Sequence, residues 1–133
     1  MMNDVQIRVY DKQIYTTHSD ESQNNFKGKI AVKDADIYVL YKDESTQTNT
    51  TIKASDKGVS VKRAGAMNGT LLFDRENVRR CSYGTPYGNL VLDIKTTNIE
   101  VYLLEKGVKI YIEYTTLMDG EKICDNVFMV MAN

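Results

Sequence analysis

Between Val108 and Thr115 the chain reads apolar, polar, apolar, polar without a fault: Val108, Ile110, Ile112 and Tyr114 alternate with Lys109, Tyr111, Glu113 and Thr115. A two-residue period belongs to a strand, whose successive side chains point to opposite faces. The same period recurs in Val5-Ile7-Val9, Thr50–Ala54, Val59–Ala64, Leu90–Thr96 and Ile99–Leu103. Turn signals such as Asp56-Lys57-Gly58, Glu105-Lys106-Gly107 and Asp119-Gly120 separate these runs by about ten residues. No window carries helical spacing with caps. The chain is therefore expected to be all-β.

Roughly ten strands joined by short connections predict an antiparallel up-and-down barrel, because closure removes the exposed edges of a long meander. The 133 residues make one domain, 1–133, large enough for a core without a metal or disulfide staple. Nine Tyr, twelve Thr and no Trp suit strands. Two stretches break the alternation. Thr16–Asn25 is polar and is expected to be a loop, with the only histidine, His18, in solvent. Gly84–Gly88 surrounds the only proline and reads as a turn, since it lacks the Lys-Ser/Thr ending and helix of a phosphate-binding loop.

Charge excludes more than it suggests. A net charge of −1 recruits neither nucleic acid nor an acidic membrane. Seven basic and three acidic residues make the segment Lys53–Arg80 +4, leaving −5 elsewhere, as expected where basic strands pair with acidic ones. The first residues lack the apolar run of a signal peptide, and no stretch is long and apolar enough to span a membrane. Cys81 and Cys124 follow no metal or redox spacing, so two free thiols in a reducing cytoplasm are expected. Arg79 and Arg80 precede Cys81, but neighbours on a strand face opposite ways, and each cysteine reads as a small buried hydrophobe. Asp93, Glu100, Glu105 and Glu113 alternate outward. With no nucleophile–base pair, no metal cluster and no cofactor motif, the chain is not expected to be an enzyme.

One residue stands out. Val59, Val61 and Arg63 share a face, so a guanidinium joins a row aimed at the core. A charge there must be satisfied. Its head could reach water past the rim or pair with a core carboxylate. Second to these two, it could meet the headgroup of a bound anion, helped by inward tyrosines such as Tyr41 or Tyr114.

The runs TTIKASDKGVSVKRAGAMNGTLLF, YGTPYGNLVLDIKTTNIEV and EKGVKIYIEYTTLMDGE resemble the YwiB-like proteins, a bacterial family of unknown function. The similarity extends from about Gly28 to Met131. It is most specific at Arg63-x-Gly65 and in the segment of Tyr83, Thr85 and Tyr87-Gly88. The resemblance implies a closed calycin-type, lipocalin-like barrel with an interior pocket, and it transfers no catalytic residue. Two functions follow as expectations. One is a barrel holding a small apolar or amphipathic anion in its lumen, at Arg63, Tyr41, Tyr83 and Tyr114. The alternative is a non-catalytic structural or interaction barrel with a filled core. Such a barrel could pair as a homodimer through outward Tyr102, Leu104 and Tyr111.

Overall fold

A computed structural model describes residues 2–133. Ten strands follow one another: β1 (Met2–Ile14), β2 (Ser19–Lys33), β3 (Asp36–Asp43), β4 (Thr48–Ser55), β5 (Gly58–Gly65), β6 (Asn68–Asp74), β7 (Arg79–Thr85), β8 (Gly88–Leu104), β9 (Gly107–Met118) and β10 (Glu121–Ala132). Each pairs antiparallel with its neighbours in sequence, and β1 pairs with β10 to close the barrel. The expected all-β, up-and-down barrel is what forms. Among the described residues no helix is long and apolar enough to cross a membrane.

Register carries one row of side chains inward all the way round. Val9 opposes Val130 on one side and Asn24 on the other, Val39 opposes Ile52, and Ile52 opposes Val61. Outward positions hold charges, some paired across strands: Arg80 with Asp93 at 3.0 Å, and Lys53 with Asp36 at 3.7 Å. Part of the basic segment is therefore matched against acidic neighbours, although such exposed pairs add little stability.

The core is unevenly distributed along the barrel axis. Isoleucines and valines crowd one end, where Ile7, Ile52, Ile110 and Ile112 are all fully buried. Toward the other end the inward rows turn polar. Val5-Ile7-Val9 continues into Asp11 and Gln13, Val59-Val61 into Arg63, and Val108-Ile110-Ile112 into Tyr114 and Thr116. On β4 the same change runs backwards, from Thr48 and Thr50 to Ile52 and Ala54. Eight strands leave an interior that side chains just fill; ten give a wider one. Larger aromatic residues occupy part of the extra width. Phe26 stacks on Tyr41 at 4.6 Å, and Phe73 meets Tyr114 edge-on at 4.7 Å. Gly28 faces Tyr41 across the β2–β3 ladder, and a methyl there would run into the Leu40 carbonyl and the Ile7 side chain.

Three departures from the sequence expectation have physical causes. Thr16–Asn25 is not one loop: the chain turns at Tyr15–His18, and Ser19–Asn25 belongs to β2, paired with β1. Those residues are exposed, so no apolar row marks them. Pairing with β3 begins only at Gly28, which leaves the first part of β2 with a free edge. The alternations at Leu90–Thr96 and Ile99–Leu103 belong to one strand, β8. A bulge between Thr96 and Asn98 shifts the phase, so that Ile94 and Ile99 both point inward. The same shift brings the Thr97 hydroxyl to the Glu113 carbonyl at 3.1 Å. Finally, Gly84 and Thr85 still pair with β8, so only Pro86-Tyr87 form the turn of the glycine-proline segment.

Candidate functional site

The polar end of the lumen gathers the four residues singled out in the sequence. β5 carries Arg63 inward beside Thr50 of β4 and Gly69 of β6. Gly69 lacks a side chain, and the next strand supplies Tyr83 opposite it. The Arg63 guanidinium donates to the Tyr83 hydroxyl at 2.8 Å and lies 6.0 Å from the centre of the same ring. Tyr83 is buried, so this contact fixes the head of the arginine within the barrel rather than past the rim. Among the described residues no carboxylate lies in ion-pair contact with Arg63. The internal ion pair expected as one outcome does not form. The Tyr83 hydroxyl takes its place.

Two cavities open from this end. One, of about 230 Å³, has an apolar wall of Val61, Leu71, Phe73 and Phe128, with Tyr114, Gln13 and Ser22 at its polar side. The other, of about 200 Å³, is bounded by Phe26, Tyr41, Thr48, Thr50 and Met67 among others. Arg63 and Asp11 line both, so these two side chains stand where the cavities meet. Arg63, Tyr41 and Tyr114 thus face open space. Tyr83 anchors Arg63 and lines neither cavity.

Burial sets the electrostatics. Removal from water opposes the Arg63 charge, but Tyr83, Tyr41 and Asp11 around it hold its pKa above the ordinary value. Burial pushes the Tyr114 hydroxyl well up, and Asp11 adds to the effect. Tyr41 is also raised by burial, with Arg63 and Thr50 acting against it. Both phenols are therefore neutral donors at ordinary pH. The Asp11 carboxyl is raised by burial and held down only in part by Arg63.

Asp11 is the residue that the reading of the sequence missed. It continues the Val5-Ile7-Val9 row by one more step of two, the pattern that marked Arg63 on β5. The buried Asn126 already has partners: its amide donates to the Thr116 hydroxyl at 2.8 Å and to the Tyr114 carbonyl at 3.3 Å. Both cysteines are free and buried. Burial raises the Cys81 thiol, and its sulfur accepts the Leu72 amide at 3.4 Å. Arg80 points away to Asp93, and the Leu72 amide and Arg79 offset the effect of burial on that thiol only in part. His18 stacks on Tyr15 at 4.7 Å in the exposed β1–β2 turn. Among the described residues no cluster of His, Cys, Asp and Glu could hold a metal.

No curated protein matches the chain. Among solved structures, the ywiB protein from Bacillus subtilis superposes with a TM-score of 0.83 at 19% identity, over 99% of this chain and 93% of that one. At that identity the likeness establishes the fold alone, a closed barrel in both. Residues 6–129 match the family described as a domain of unknown function, DUF1934. With the match spanning nearly all of the barrel, the chain belongs to this DUF1934 family, a YwiB-like family of β-barrels.

Proposed function

We propose that the barrel is a non-catalytic binding module, holding a small amphipathic anion in the polar end of its lumen. The observation that carries this reading is Arg63: a permanent cation inside a barrel, without a carboxylate against it, lining two cavities. A half-buried cation without a counter-charge in contact gives up part of its solvation, and a bound anion would offset that cost. Neutral Tyr41 and Tyr114 would donate hydrogen bonds to the same group, and Phe73 and Phe128 would cover an apolar tail. Pockets for drug-sized ligands start at roughly 300 Å³. The cavities here, about 230 and 200 Å³, suit a compact organic anion better than a long acyl chain. Two buried free thiols fit a reducing, cytoplasmic setting.

Thermal melts of wild type and Arg63→Met, with and without short aliphatic and aromatic carboxylates, test the proposal. A ligand at a hundred times its Kd stabilises the wild type by about 2.7 kcal/mol. The variant should lose that shift while its unliganded melt stays level or rises. Destabilisation by roughly 3 kcal/mol or more, with ligand shifts retained, would make Arg63 structural and end the proposal.

A second reading rests on another surface. Tyr102, Leu103 and Leu104 are consecutive and exposed just before the β8–β9 turn, with Leu103 at 75%. Such a patch suits a homodimer contact. Light scattering coupled to size exclusion checks it: a dimer dispersed by Leu103→Lys supports this reading, and a concentration-independent monomer removes it.

A further inference from the structure

The lumen holds two opposite charges, and neither neutralises the other by contact. Asp11 lines both cavities together with Arg63. Among the described residues its carboxylate accepts no side-chain hydrogen bond and lies within 4.0 Å of no cationic group. Its neighbours on β1 cannot help, since Tyr10 and Lys12 point to the opposite face. The other carboxylate at the second cavity, Asp43, is already engaged: it accepts from the Ser45 amide at 3.0 Å and from the Ser45 hydroxyl at 2.6 Å. Asp11 alone is left facing the space that Arg63 faces.

A plain anion leaves one of these two charges unanswered. Seated on Arg63, it would bring its charge toward the Asp11 carboxylate, and like charges in a partly desolvated pocket repel. A ligand carrying a cation beside its anion would satisfy both groups at once. We infer that the Arg63 end takes a small zwitterion, its anionic group on Arg63 and its ammonium on Asp11. This inference rests on the reading of that end as an anion site. Gln13 and Ser22, on the same lining, offer neutral hydrogen-bonding groups beside Asp11.

Matched pairs differing only by an amine test it by titration calorimetry. The pairs are glycine and acetate, β-alanine and propionate, γ-aminobutyrate and butyrate, and phenylalanine and 3-phenylpropionate. A hydrogen bond to a charged group stabilises enough to change affinity about tenfold or more. At least one amine-bearing member should therefore bind wild type about tenfold tighter than its match. Asp11→Asn, close in shape, should shrink that preference to within about twofold while leaving the plain carboxylate bound as well or better. Asp11→Ser should do the same, and melts of both variants check that they remain folded. If each plain carboxylate binds wild type at least as tightly as its amine partner, and Asp11→Asn tightens both alike, the zwitterion inference falls and the anion site stands. If no compound binds in the millimolar range, or binding is indifferent to Arg63→Met, the anion site falls and the inference with it.

Discussion

The two ends of this barrel are built from the same strands and are lined by different chemistry. On β4, Ile52 and Ala54 sit among branched aliphatic side chains, while Thr48 and Thr50, equally inward on the same row, border a cavity. At the apolar end branched aliphatic side chains are fully buried. At the other, aromatic rings and hydroxyls leave space around a guanidinium and a carboxylate. Aliphatic burial is concentrated at one end, while the groups that are costly to remove from water stand at the other.

The sharpest way to break that contrast is to substitute one residue on each side of it. Ile52→Ala should cost about 2–5 kcal/mol, because it removes fully buried methylenes and leaves a cavity. Thr50→Val, one step along the row, should cost about 1 kcal/mol or less in the same denaturant titration. Equal losses would mean the ends are not energetically distinct. Next in size is the junction between them. Gly28→Ala drives a methyl against the Leu40 carbonyl and the Ile7 side chain, next to Cβ of Tyr41, and should cost about 1–3 kcal/mol. A neutral result would show that the aromatic layer can yield.

A smaller effect should come from Asp11, with a sign that depends on pH. Its folded-state pKa is raised, so the folded chain holds the proton more tightly than the unfolded one. The stability this contributes is fully present below the ordinary carboxylate range and is lost as pH rises through the raised value. Asp11→Asn should therefore melt higher than wild type at neutral pH, with the gap closing on acidification. A gap that widens in acid would show a carboxylate stabilised by its surroundings. The smallest effect is kinetic: Cys81 and Cys124 should resist labelling in the folded protein, and two thiols should react on unfolding. Rapid native labelling of Cys124, which lies on the polar half of β10, would show that this end opens more readily than its burial implies.

Much of this division was legible in the sequence where alternation was strong. The inward rows of β5 and β9 followed from period two, and Arg63 stood out because a charge interrupted one of them. Asp11 was equally visible in principle, but the row on β1 was read only as far as its last aliphatic residue, Val9. The first part of β2 could not be read that way, since residues wet on both faces carry no periodic signal. Nor could the bulge at Thr97, which changes which residues of β8 face inward without changing their composition. The cavities were out of reach altogether. They depend on how ten strands close and on whether Phe26, Tyr41, Phe73 and Tyr114 fill the resulting width, which is a property of packing in three dimensions.

The pairing of β1 with β10 has a consequence for how the molecule is made. Ile7 faces Ala132, and Gln6 and Asn133 exchange two backbone hydrogen bonds, so the rung that closes the ring joins residues more than a hundred positions apart. Loop-closure entropy grows only logarithmically with separation, so this rung is scarcely costlier at equilibrium than one spanning half the chain. Its burden is on the rate, because topologies dominated by distant contacts fold slowly, in milliseconds to seconds. Until β10 docks, β1 and β9 each present a bare edge of strand, to which a strand from another copy of the chain can pair. The barrel is safest from its own kind only after its last strand is in place.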